Sequence, residues 1–143
     1  MVGQEPVIMV TAGVVILSAD NELLLQNRAD GSGWGPIGGF MELGESVEET
    51  ARREVLEETG LTVGRLELFG VFSTPEIQTL ANGDQVQVVT IFYLTDTVTG
   101  TLQSDIEGLE LRYFGLDSLP ERLFVPTLPM LEAIKKRFGV PKT

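Results

Sequence analysis

Val7 to Ser18 is an almost unbroken apolar run, interrupted only by Thr11 and Gly13, and Glu22 to Arg28 is a second strand-like run. The turn residues Ala19-Asp20-Asn21 lie between them, so the pattern predicts a hairpin. Gly31-Ser32-Gly33-Trp34-Gly35-Pro36 then breaks regular structure. Leu61 to Phe72 is rich in apolar and β-favouring residues, and Gln85 to Leu94 partly alternates before turning wholly apolar. Asn82-Gly83 between them is a turn signal, which predicts a second hairpin. Glu110 to Phe114 reads as a short further strand. Thr127 to Phe138 places Leu131, Ile134 and Phe138 at helical spacing and ends on Lys135, Lys136 and Arg137, cations that suit a helix C-terminus. The order strands, helix, strands, helix predicts one α/β domain, a mixed sheet with helices packed on its faces.

The first helix follows from residues 46 to 60. Ser46-Val47-Glu48-Glu49 has the form of a capping box, and Gly60 stands where a left-handed residue would end the helix. At about 100° per residue, Glu54, Glu57 and Glu58 fall within an arc of roughly 100°. Val47, Ala51 and Val55 lie within or beside that arc, whereas Glu48, Arg52, Glu49 and Arg53 occupy the opposite, solvent side. The three carboxylates are therefore expected to lean toward the protein, where like charges repel unless a cation compensates them. Hard oxygen donors of this kind suit Mg²⁺ or Mn²⁺, with Glu45 just before the helix as a further oxygen. A solvated acidic helix, with Arg52 and Arg53 pairing locally, is the competing reading of the same residues.

Composition narrows the chemistry. The chain has 143 residues, enough for one core, and no low-complexity tract. The run from Val7 to Leu17 is too short to span a bilayer and lacks a basic leader, so a buried strand in a cytoplasmic protein is expected. With no Cys and no His, disulfides, thiolate nucleophiles, imidazole bases and the usual zinc ligands are excluded. A net charge of −11 and a pI near 4.3 argue against binding a nucleic acid polymer by phosphate neutralisation. An anionic ligand would need positive charge from elsewhere.

The segment also reads Gly39, five residues, Glu45, seven residues, Arg53-Glu54-Val55, one residue, Glu57-Glu58, one residue, Gly60-Leu61. It resembles, position by position over 23 positions, the signature of the Nudix hydrolases. One departure is Ile37-Gly38-Gly39 where many members carry Pro-Gly-Gly, which bears on loop shape. The resemblance implies the family's α/β/α sandwich, a mixed β-sheet between helices, across residues 1 to 143 as a single domain. It implies Mg²⁺- or Mn²⁺-dependent hydrolysis of the pyrophosphate linkage in a nucleoside diphosphate joined to another moiety: a nucleotide, ADP-ribose or a nucleotide sugar. Glu54, Glu57 and Glu58 match the metal-binding and catalytic glutamates, Arg53 the residue that orients them, and Gly39 a backbone carbonyl ligand.

The general base is then Glu54 or Glu57. Some members draw it from a later loop, for which Glu107 and Glu110 are candidates, though both also read as surface acids. Arg28, at a strand end, matches a place where members often carry a phosphate-facing Arg, and a surface Arg is its other reading. Trp34 could stack on a nucleobase or pack against the sheet. Phe72 and Ser73-Thr74-Pro75-Glu76 lie where the family varies its substrate loop, and Pro75 loosely resembles ADP-ribose-cleaving members. The expected partner is a small nucleoside diphosphate derivative, with no membrane, and the family allows a homodimer. A non-catalytic nucleotide sensor on the same fold is the main alternative; an isoprenoid diphosphate isomerase would need a Cys, and a structural cation site predicts no turnover.

Overall fold

The computed structural model describes residues 5–103 and 110–139. The elements run β1 (Val7–Ile16), β2 (Glu22–Asn27), β3 (Trp34–Gly35), β4 (Ile37–Phe40), α1 (Val47–Thr59), β5 (Thr62–Val63), β6 (Glu67–Ser73), β7 (Gln78–Thr79), β8 (Gln85–Thr95), β9 (Val98–Thr99), β10 (Glu110–Gly115), a 3-10 turn (Val125–Thr127) and α2 (Leu128–Arg137). One sheet has the order β4-β1-β8-β6, with β7 also on β8; a second has the order β10-β2-β3, and β5 pairs with β9. The first sheet is mixed, because β1 runs parallel to β8 and antiparallel to β4.

The predicted first hairpin closes only at its turn, where the Ser18 N–H donates to the Glu22 carbonyl at 2.9 Å. β1 and β2 touch through one bridge, Leu17 to Leu23, and then part into different sheets. The reason lies in their burial: Ala12 to Ile16 and Leu23 to Gln26 are buried at every position. Strands apolar on both faces need cover on both, so each becomes a central strand with neighbours on either side. The second pairing forms, since β6 lies antiparallel to β8. However, the Asn82-Gly83 turn closes β7 onto β8, and the run Leu61 to Phe72 divides into β5 and β6. The loop around Trp34 is also less irregular than expected, because Trp34 and Gly35 pair with Asn27 and Gln26 as β3.

Alternate residues of the central strands feed two cores. Val14, Ile16 and Leu24 pack with Ala51 and Val55 of α1, while Val15, Leu23 and Leu25 pack with Met130, Leu131 and Ile134 of α2. The helices thus lie in separate cores on opposite faces of β1 and β2, the layered α/β arrangement expected from the element order. Among the described residues no helix is long and apolar enough to cross a membrane.

Candidate active site

The α1 helix is fixed at both ends by local chemistry. Ser46 Oγ accepts from the Glu49 N–H at 3.1 Å and Glu49 Oε1 accepts from the Ser46 N–H at 2.7 Å, completing the capping box. Gly60 closes the helix at φ 78°, a left-handed conformation that only glycine adopts without strain. Ala51 and Val55, both 0% exposed, seat the helix on β1 and β4, and Arg52 ties it to β5 by donating to the Val63 carbonyl at 2.9 Å. The rotation of the helix about its axis, and hence the direction of each glutamate, is set by these contacts.

Glu54 stands against the backbone of β4. A Cβ at Gly39 would lie 2.5 Å from Glu54 Oε1 and 2.6 Å from Oε2, so only a glycine leaves room for the carboxylate there. Glu58 is held at both oxygens: Oε1 accepts from the Gly38 N–H at 2.9 Å and Oε2 from Gln26 Nε2 at 3.1 Å. Glu57 points outward, its side chain 55% exposed against 14% for Glu54. The helical wheel set Glu57 among the inward acids, and in this respect the structure differs.

Arg53 departs from the wheel in the opposite sense. Its side chain is only 22% exposed and bends over the acidic cluster. Nε donates to Glu45 Oε2 at 2.6 Å, Nη2 to Glu45 Oε1 at 3.1 Å and to the Phe40 carbonyl at 3.0 Å, and Nη1 to Glu54 at 3.2 Å and Glu57 at 3.1 Å. A long, flexible stem allows a planar fork to reach round the helix, and five donors suit it to bridging several carboxylates. Glu45 also accepts from the Glu42 N–H at 3.0 Å and from Thr50 Oγ1 at 2.8 Å. The Arg53 hydrogen bond, followed by the backbone N–H of Glu42, pulls the Glu45 carboxyl down to about 2. Arg53 is correspondingly pushed up, chiefly by Glu45.

Gly39, Glu45, Arg53, Glu54, Glu57 and Glu58 are thereby brought together along the side of α1 that faces β4. Among the described residues no group of three or more carboxylates converges at metal-binding spacing. The donor set is all oxygen, and the gap at Gly39 admits the Glu54 carboxylate against the backbone, which fits a hard divalent ion.

The other candidates surround the second sheet. Arg28 Nε donates to Ser32 Oγ at 3.0 Å, its guanidinium lies 3.6 Å from Asp30, and it stacks 4.0 Å from the Phe124 ring centre. Trp34 packs edge-on against Phe114 with ring centres 4.9 Å apart. Glu110 accepts from Asn27 at 3.3 Å and Arg112 at 2.8 Å. Glu107 lies outside the described residues. Sequence reasoning missed Gln26, 4% exposed, whose Nε2 donates to both Glu58 and the Pro36 carbonyl. Its signal was an amide at the end of the run Leu23-Leu24-Leu25, where the strand is otherwise apolar.

The chain is similar to several known proteins. The NUDIX domain matches residues 7–134. An ADP-ribose pyrophosphatase of Methanocaldococcus jannaschii is 35% identical over 112 residues, covering 76% of this chain and 63% of that protein. An oxidized purine nucleoside triphosphate hydrolase of Mus musculus is 34% identical over 109 residues, covering 75% of this chain and 66% of that protein. In both cases the chain spans just under two thirds of the relative's length. The crystal structure of a MutT NUDIX hydrolase from Burkholderia pseudomallei superposes with a TM-score of 0.73 at 30% identity, covering 91% of this chain and 98% of that one. With the domain matched from β1 into α2 and the fold shared almost end to end, this chain belongs to the Nudix family.

Proposed function

We propose that the protein hydrolyses the pyrophosphate linkage of a nucleoside diphosphate joined to another moiety, with Mg²⁺ or Mn²⁺ as cofactor. The observation that carries this reading is the Glu54 carboxylate seated in the space that Gly39 leaves open, with Arg53 bridging it to Glu45 and Glu57. Glu54, Glu57, Glu58 and the Gly39 carbonyl are the oxygens that would hold the ion. A divalent ion held there would supply positive charge to the phosphoryl oxygens and would acidify a water for attack.

The chain's own residues do the rest. Glu57, the exposed carboxylate of the three, has room to meet a water from solvent and accepts its proton, and no covalent enzyme intermediate is needed. Arg53 keeps Glu54 and Glu57 in register, so that neither carboxylate drifts as charge develops. Glu58, fastened to Gly38 and Gln26, anchors the site to β4 and β2. Arg28 is the cation we assign to the substrate phosphates, in a chain whose net charge of −11 otherwise repels them.

The names of the relatives suggest the first compounds to try. ADP-ribose, an oxidized purine nucleoside triphosphate, a dinucleoside polyphosphate and a nucleotide sugar are offered at fixed Mg²⁺, with products separated by ion exchange. Mononucleotide or pyrophosphate release that EDTA abolishes is the expected result. Nucleotide binding without turnover across the panel would replace hydrolysis by a sensor role.

A further inference from the structure

Gln26 sits where β2 meets the third-strand loop and α1. Its Nε2 donates to Glu58 Oε2 at 3.1 Å and to the Pro36 carbonyl at 3.0 Å. Both partners are acceptors, so the amide can face them only with its NH₂, which fixes the orientation of the carboxamide. The other atom, Oε1, is then an acceptor sealed from solvent with no hydrogen-bond partner among the described residues. Met would fill nearly the same space at this 4% exposed position without burying an unpaired acceptor. What the glutamine adds is its pair of donors, and one of them is directed at Glu58.

We propose that Gln26 is a positioning residue, which holds the Glu58 carboxylate in the orientation that receives the divalent ion. The inference rests on the reading above that Glu58 is a ligand. Glu58 Oε1 is already drawn toward β4 by the Gly38 N–H. With Gln26 on Oε2, the carboxylate is gripped from two strands and its plane is set. Released on one side, the carboxylate would rotate about its terminal torsion, which has broad minima. The ion would then meet a ligand that must be ordered on binding.

The experiment is a Mn²⁺ titration of the full chain, read by loss of the free-ion paramagnetic resonance signal, for the parent, Gln26→Met, Glu58→Gln and the double variant. Gln26→Met should weaken Mn²⁺ binding about 10- to 100-fold. It should raise the Mn²⁺ activation constant alike, while nucleotide KM at saturating Mn²⁺ stays the same. In the Glu58→Gln background the same change should add no further loss. Equal Mn²⁺ affinity in folded Gln26→Met and parent would overturn the inference and leave the proposed hydrolysis standing. A parent that binds no Mn²⁺ would overturn both. Should Gln26→Met not fold, Gln26→Asn, one methylene too short to bridge Glu58 and Pro36, takes its place with the same expected loss.

Discussion

Replacing Gly39 by Ala tests the geometry of the site with a single methyl group. That methyl would lie 2.5 Å from Glu54 Oε1, whereas ordinary contact begins at 3.4 Å, so the carboxylate must retreat by about 0.9 Å. The helix itself cannot take up the shift, because Ala51 and Val55 are fully buried against the sheet. The side chain must rotate instead, at the expense of its 3.2 Å contact with Arg53. A displacement of about 1 Å at a reacting centre costs on the order of 10²-fold in rate, or about 2.7 kcal/mol of barrier. Gly39 is not among the residues with positive φ, so alanine fits the backbone of β4 and the thermal midpoint should hardly move. The assay is kcat for Mg²⁺-dependent diphosphate hydrolysis alongside a melting curve. A folded Gly39→Ala enzyme with parental kcat would refute the reasoning, since it would mean that the position of Glu54 does not matter.

Three further expectations follow from the same contacts. Glu57→Gln keeps size and fold but removes the proton acceptor, and should lower kcat about 10²- to 10⁴-fold with circular dichroism unchanged. Glu45 is depressed to about 2 when folded, from 4.5, so the native state binds fewer protons than the unfolded one as pH falls. The Glu45–Arg53 pair therefore stabilises fully above about 4.5 and its contribution fades as pH drops through about 2. Urea midpoints of the parent and Glu45→Gln should accordingly differ at pH 6 and converge toward pH 2. Val55→Ala, at a position 0% exposed, removes two carbons from the core under α1 and should cost about 2–3 kcal/mol in denaturant unfolding, with residual activity retained at low temperature.

Some of the acidic cluster was legible because it is written in neighbouring residues. The capping box of Ser46 and Glu49 and the left-handed Gly60 depend on backbone groups three or four residues away, and both formed as expected. The spacing from Gly39 to Leu61 likewise singles out the glutamates from local sequence alone. The wheel was less successful with Arg53 and Glu57. A wheel assigns directions to Cβ atoms, while a guanidinium several bonds farther out goes where carboxylates attract it, here toward Glu45 eight residues back.

By itself the sequence determined the two helices, the strand-forming runs and the identity of the acidic residues, since periodicity and capping are properties of short segments. Tertiary structure decided the partners. β1 abandons β2 for β4 and β8, because a strand buried on both faces is satisfied only inside a sheet. Gln26 meets Glu58 across 32 residues, and Glu54 meets Gly39, only once α1 has been laid on β1 and β4. No local pattern encodes such meetings, because burial of apolar surface draws the elements together without regard to which polar side chains are carried along.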